Sequence, residues 1–298
     1  MSQSSRRNLS PRIAIAIAGA TGRVGAALIA GLASEPVDLI ALSRKPDPSR
    51  FPAHVGQAPV DFDAPVTLAA AMQGVDRLFL AQGTSPRQVE NEIALIDAAV
   101  GAGVRHIVKL SAASLPAKLH PFDWHARIEA HLISRDIGHT MLRPTTFFDT
   151  LTRAGKPVRE GTWGGAAGYG IVNLIDTRDV ADAAKAVLLD PASETWQRAF
   201  HLTGPRAWTM DDVAAQLTRL LGRPVAYQQR TPAEERERLL ASGVSGFVVD
   251  VLTGLDRTVR ESSLQEQTAT VQLLTGHAPR GLPQWLEENL SLFRGTAH

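Results

Sequence analysis

The stretch IAIAGATGRVGAALIAGL, residues 15–32, sets three glycines, Gly19, Gly22 and Gly25, at three-residue intervals where an apolar run gives way to an amphipathic one. The run from Arg12 is short, apolar and closed by glycine, which reads as a buried strand. RVGAALIAGLASE has helical spacing, and VDLIALSR returns to a strand, so the order is strand, glycine loop, helix, strand: a βαβ unit. In such a unit the first glycine permits the turn, the second lets backbone approach a diphosphate, and the third lets helix and strand pack closely. The helix start then offers free N–H groups and a partial positive charge. A glycine triplet by itself also fits a plain turn. Its place at the first strand-to-helix junction favours a nucleotide cradle formed by Gly19, Ala20, Thr21, Gly22, Arg23, Val24 and Gly25.

The second strand bears on which nucleotide. A carboxylate near its end would bind a ribose 2′-hydroxyl. Here Ser43, 18 positions after Gly25, is followed by Arg44 and Lys45. A hydroxyl and a guanidinium suit a 2′-phosphate, which a carboxylate would repel. Arg23 is placed to close on the same group from the other side. The expected cofactor is therefore NADP(H) rather than NAD(H), although Arg44 and Lys45 also fit a merely solvated turn.

Further along, APVDFD, DRLFLAQG, RHIVKLSAAS and HTMLRPTTF read as strands, with TLAAAMQGV, PRQVENEIALIDAAVGAGV and FDWHARIEAHLISRDIG as the helices between them. This alternation predicts an α/β chain with a Rossmann-type, doubly wound parallel sheet. After residue 150 the rhythm breaks. TRAGKPVREGTWGGAAGYG is expected to be loop or β-hairpin, and VNLIDTRDVADAAKAVLLDP a strand and a helix capped by Asp176 or Thr177. RAFHLTG is expected to supply a further strand, and helices dominate from residue 209. The expected organisation is a leader over 1–10, a nucleotide-binding domain over 11–150 with 171–203 returning to the main sheet, and a smaller, mainly helical substrate-side domain over 151–170 with 204–298.

Composition excludes several functions. The chain has no cysteine, so disulfides, thiolate catalysis and cysteine-ligated metal are ruled out. A formal charge of +1, without a basic stripe interleaved with aromatics, gives no pull toward nucleic acid or membrane. Arg6 and Arg7 ahead of an apolar stretch have the look of a twin-arginine export signal. Cleavage there would remove the first strand and helix, so a polar leader and a reducing, cytoplasmic setting are expected.

With GATGRVG, LSRKP, VDFDAP, HIVKLSAAS, HARIEAHL, MLRPTTFFD and IDTRDVADAA in this order, the chain resembles the NmrA-like atypical short-chain dehydrogenases/reductases, in particular quinone, triphenylmethane-dye and azo-dye reductases. The resemblance runs from about residue 12 to the end. It implies that Asp61 and Phe62 flank the adenine. It also implies that Ala81, Gln82 and Gly83 line the cofactor ribose, and that Pro144 and Phe147 lie near the nicotinamide. Ordinary members of the wider superfamily carry Tyr-x-x-x-Lys on the helix after the fifth strand, where this chain has His125 and Glu129. Their spacing of four keeps them on one face while the chemistry changes. Two readings of His125 stand: a proton donor oriented by Glu129, or a residue that shapes the pocket.

Other candidates complete the site. Lys109, unusual in a strand buried on both faces, either assists His125 or packs its stem along the sheet with the amine at an edge. Ser111 ends that strand at a ligand-binding position or caps a turn. Phe147, Phe148, Trp163 and Tyr169 are candidate substrate contacts, the last two as an aromatic lid or a structural hairpin. His120, His125 and His131 do not share a helix face, so no metal is expected. The expected activity is hydride transfer, without flavin or metal, to a planar small-molecule acceptor such as a quinone or azo dye. A non-catalytic NADP(H) sensor and an imine or enone reductase remain the alternatives. Monomer and homodimer both fit.

Overall fold

The computed structural model describes residues 12–113 and 122–294. The leader with Arg6 and Arg7, and His120, lie outside the described residues.

The first half builds as its periodicity predicts. Strands β1 (Ile13–Ile17), β2 (Val37–Ser43), β3 (Gly56–Pro59), β4 (Arg77–Leu80), β5 (His106–Leu110) and β6 (Gly138–Pro144) alternate with helices α1 (Arg23–Leu32), α2 (Pro65–Ala71), α3 (Gln88–Gly101) and α4 (Phe122–Ile133). β7 (Thr146–Phe147) follows, then a 3₁₀ segment Phe148–Ala154, α5 (Gly155–Glu160), β8 (Gly164–Gly165), β9 (Val172–Ile175), α6 (Thr177–Leu189) and β10 (Gln197–Leu202). The remainder comprises β11 (Ala207–Trp208), α7 (Met210–Leu221), β12 (Gln228–Gln229), α8 (Pro232–Ala241), α9 (Gly246–Arg260), α10 (Thr270–Thr275) and α11 (Leu282–Glu288).

Seven parallel strands form the main sheet in the order β10-β6-β5-β4-β1-β2-β3. Helices cover both faces, which is why its inner strands are mostly apolar rather than alternating, with Arg77, His106 and Lys109 as buried polar exceptions. On one face Val24, Leu28 and Leu32 of α1 meet Val180, Ala184 and Val187 of α6. On the other, Leu68, Leu95, Ile96 and Ile128 of α2, α3 and α4 pack together. The winding direction reverses between β1 and β4, so the carboxyl ends of these strands open a crevice where ligands bind in such sheets. Among the described residues no helix is long and apolar enough to cross a membrane.

Three segments differ from the sequence expectation. β3 ends at Pro59 because Asp61 and Asp63 turn the chain into α2, with the Asp61 carboxylate accepting from the Asp63 amide at 2.9 Å and Thr67 Oγ1 from the Asp61 amide at 2.9 Å. Residues 152–160 are helical rather than loop or hairpin: Leu151, Ala154 and Val158 recur at helical spacing and bury as one stripe, while 161–170 are loop except for β8, which pairs in parallel with β12. β9 does not return to the main sheet but lies between β7 and β11. Asn173 holds it there, receiving the Gly204 amide at 2.7 Å and donating to the Gly204 carbonyl at 3.2 Å. α6 and β10 do rejoin the main body, and Asp176 caps α6 as expected. A separate core gathers Phe148, Trp163, Trp208, Leu217, Trp285 and Phe293.

Candidate nucleotide groove and proton-donor cluster

The glycine loop has the shape a diphosphate cradle requires. Gly19 adopts φ +70°, and a Cβ there would lie 2.7 Å from the Ala81 carbonyl oxygen. A Cβ on Gly25 would lie 2.3 Å from the Gly19 carbonyl oxygen, so α1 touches the loop without room for a methyl group. Gly22 at the N-cap offers no side chain, and the first turn of α1 holds no acidic residue, which leaves its amides free for an anion. Ala20 and Val24 are buried and support the loop from below, while Thr21 faces the groove.

That groove, about 750 Å³, runs from Gly19 and Thr21 past Ser43, Arg44 and Lys45 to Phe62, Ala81, Gln82 and Gly83. Ser43 shapes its turn: its hydroxyl accepts from the Lys45 amide at 3.2 Å and donates to the Lys45 carbonyl at 3.0 Å. Arg44 and Lys45 are exposed with no side-chain partner among the described residues. A third cation, Arg50, lines the same end and donates to the Thr21 carbonyl at 3.3 Å. Sequence reasoning missed Arg50, because nothing local marks an arginine in the loop after β2 as belonging to the glycine turn. Gln82 carries a buried Oε1 without a hydrogen-bond partner, an acceptor turned into the groove wall. The volume, the uncapped helix start, the orphaned amide oxygen and the cations fit a dinucleotide.

Two sequence-predicted contacts have partners within the protein. Arg23 pairs with Asp149 at 2.9 Å. One Asp61 carboxylate oxygen accepts from the Asp63 amide, and Val60 and Phe62 of that segment line the groove.

At the ends of β5 and β6 the structure gathers two polar clusters. Lys109 is fully buried; its Nζ lies 2.7 Å from Glu92 Oε2, donates to the Leu110 carbonyl at 2.6 Å and stands 3.2 Å from His125 Nδ1. Its amine therefore does not reach a sheet edge. The Glu92 contact is an ion pair off the line of a hydrogen bond, and the other carboxylate oxygen accepts from Gln88 at 2.9 Å. Burial, and secondarily the Lys109 charge, push the His125 imidazole down to about 3, so it is neutral near pH 7. Glu129 does not orient His125: it accepts from Ser111 at 2.6 Å and forks onto Arg143 at 2.9 and 2.6 Å. Both residues leave the same helix, but Arg143 from β6 claims the carboxylate first. Glu92 was legible as an acid on the apolar stripe of α3 beside Val89 and Leu95; Arg143 carried no such signal.

The aromatic candidates divide. Phe147 is half-buried at the end of β7, and the Pro144 carbonyl at the end of β6 accepts from the Ala113 amide at 3.0 Å. Phe148 is buried in the second core against Trp285, with ring centres 6.0 Å apart, so it cannot touch a substrate. Trp163 is likewise a core residue, packed edge-on to Tyr227 at 5.1 Å, and Tyr169 stands exposed. These two form no aromatic lid. His131 binds Asp97 at 2.8 Å. Asp179, Asp182 and His277 lie close enough to share an ion, but the Arg280 guanidinium donates to both carboxylates and supplies the positive charge.

Fold and groove define a Rossmann-type nucleotide-binding protein. Residues 19–191 match a family described as NAD(P)H-binding, and the chain belongs to that family. It is 28% identical over 284 residues to an NAD(P)H azoreductase of Xenophilus azovorans, covering 94% of this chain and 99% of that one. It is 30% identical over 272 residues to quinone oxidoreductase 2 of Escherichia coli (strain K12), covering 88% and 94%. An NADPH-dependent quinone oxidoreductase of Escherichia coli, complexed with NADPH, superposes with a TM-score of 0.85 at 27% identity, over 93% of this chain and 99% of that one. The expected resemblance to azo-dye and quinone reductases holds.

Proposed function

We propose that the chain is an NADPH-dependent reductase, working without flavin, whose acceptor is a planar conjugated small molecule such as a quinone or azo dye. The observation that carries this reading is the neutral His125 backed by Lys109 beside a groove that fits a dinucleotide. Reduced nicotinamide, when bound, supplies the hydride. The glycine loop and α1 hold the diphosphate, and Arg44, Lys45 and Arg50 hold a 2′-phosphate. Gln82 offers its free acceptor to a hydroxyl or amide of the ligand. Pro144 and Phe147, at the ends of β6 and β7, provide an apolar floor that orients a flat acceptor and excludes water.

The proton chemistry suits such acceptors. A neutral imidazole is a weak acid, far weaker than an imidazolium. It serves an acceptor whose reduced anion is spread over a conjugated system and demands little of its donor. The relatives named for quinone and azo substrates support the same substrate class. The helices after residue 204, with their own core, are assigned to the acceptor side.

The test follows NADPH absorbance with a panel of quinones, azo dyes, imines and enones, using protein shown to lack flavin absorbance. Turnover with quinones or azo dyes, unaffected by added flavin, is expected. NADPH binding without turnover on any member would refute the reductase and leave a cofactor sensor.

A further inference from the structure

Three charged or titratable groups from three different elements converge inside the molecule: Glu92 from α3, Lys109 from β5 and His125 from α4. Glu92 and Lys109 are 1% and 0% exposed. Burying an ion pair carries a desolvation penalty for each ion that a hydrophobic pair avoids. Apolar residues would fill this position at least as stably, so stability alone does not account for the pair. Its geometry does suggest a use. The ammonium has nowhere to place one of its protons except His125 Nδ1, 3.2 Å away, because its other contacts are the Leu110 carbonyl and Glu92. An ammonium only donates, so Nδ1 must accept, and the imidazole hydrogen is forced onto Nε2. That nitrogen has no partner among the described residues. The neighbouring Glu129, Arg143 and Ser111 satisfy one another and leave His125 to Lys109.

We infer that Glu92 is a positioning residue for proton delivery: it holds the Lys109 ammonium against His125, which fixes the imidazole as its Nε2–H tautomer and lets Lys109 pass a proton to Nδ1 as the Nε2 hydrogen leaves. This rests on the reductase reading. In the step, the acceptor has gained a hydride and carries a negative charge. The His125 Nε2–H bond breaks and an acceptor–H bond forms, while a Lys109 Nζ–H bond breaks and a His125 Nδ1–H bond forms. The imidazole stays neutral throughout and never becomes the imidazolium that its surroundings disfavour. Lys109 ends as an amine, and the cycle closes when Nε2 takes a proton from solvent and Nδ1 returns its own to the Lys109 amine, which restores the ammonium and the Nε2–H tautomer together. Proton and charge balance, and no further reactant is needed.

Glu92→Gln keeps the shape and loses the charge that stabilises the ammonium. Its kcat should begin to fall with rising pH at least one unit lower than in the parent, and at pH 8 should drop more than about tenfold, with the acceptor KM within about threefold. Nitrogen-15 NMR of labelled histidine reads the tautomer without turnover, so it separates this inference from the reductase reading. At pH 7 the parent His125 should show Nδ1 bare and Nε2 protonated, and Lys109→Met should yield a tautomer mixture. Because Lys109→Met strands a buried carboxylate, the double variant Glu92→Gln/Lys109→Met provides a neutral pair if the single variant does not fold. A Glu92→Gln pH profile superimposable on the parent, or a parent His125 protonated on Nδ1, would overturn the inference.

Discussion

Gly25→Ala tests whether the cradle depends on the contact between α1 and the glycine loop. The added methyl would lie 2.3 Å from the Gly19 carbonyl oxygen, 2.8 Å from its carbon and 3.0 Å from Ala20 Cα. Reaching ordinary contact near 3.4 Å requires a shift of about 1 Å. Every clashing atom is backbone, and the room behind the loop is limited, since even a Cβ on Gly19 would lie 2.7 Å from the Ala81 carbonyl oxygen. Overpacking costs about 1–3 kcal/mol, and these constraints place this case at the upper end. The melting temperature should fall by about 5 °C or more, given roughly 2–4 °C per kcal/mol for chains somewhat smaller than this. Displaced amides should weaken NADPH binding at least about tenfold, or 1.4 kcal/mol. Gly31→Ala is the control in the same helix. Its methyl meets only Lys185 Cδ at 3.7 Å, so the usual preference of a helix for alanine should raise stability by about 0.5 kcal/mol. Thermal melts and fluorescence titration with NADPH measure both effects. A Gly25→Ala protein as stable as the parent, binding NADPH equally well, would refute the reasoning.

Other perturbations separate the remaining assignments. Removing Arg44 or Arg50 as alanine should weaken NADPH about 10–100-fold, the worth of a charge-assisted hydrogen bond, and NADH by less than about threefold; equal losses in calorimetry would remove the 2′-phosphate assignment. Phe148→Ala should cost about 3–5 kcal/mol in urea unfolding, whereas exposed Tyr169→Ala should stay within about 0.5 kcal/mol; the reverse order would restore a lid. His106 is held neutral, its imidazole pushed down to about 4 by burial and then by Arg77 and His139. Since the unfolded chain takes up that proton near pH 6.5, stability should fall as pH drops from 6.5 toward 4, by about 3 kcal/mol for this group. His106→Gln should flatten that slope in urea midpoints, and an unchanged slope would contradict the assignment.

The nucleotide cradle was legible because its physics is local. Gly19, Gly22 and Gly25 are needed within one turn of chain, and the strand and helix that flank them announce themselves by period. Asp176 capped its helix for the same reason. The segment over 152–170 misled because its glycines outweighed the Leu151, Ala154, Val158 stripe, which matters only once a second core exists to receive it. Phe148 and Trp163 misled likewise: an aromatic side chain has the same spelling in a core and in a binding site.

The cluster around His125 lies at the other extreme. The chain alone established a βαβ nucleotide fold, a basic end to its second strand, and the replacement of Tyr-x-x-x-Lys by His125 and Glu129. Only the folded molecule decided that Lys109 and Glu92 face His125 while Arg143 takes Glu129. Those partners sit on separate elements, and which of them meet depends on the register of β5 between β4 and β6 and on how α3 and α4 rotate to bury their apolar stripes. Helix and strand periods name the face on which a residue lies; packing chooses what that face meets.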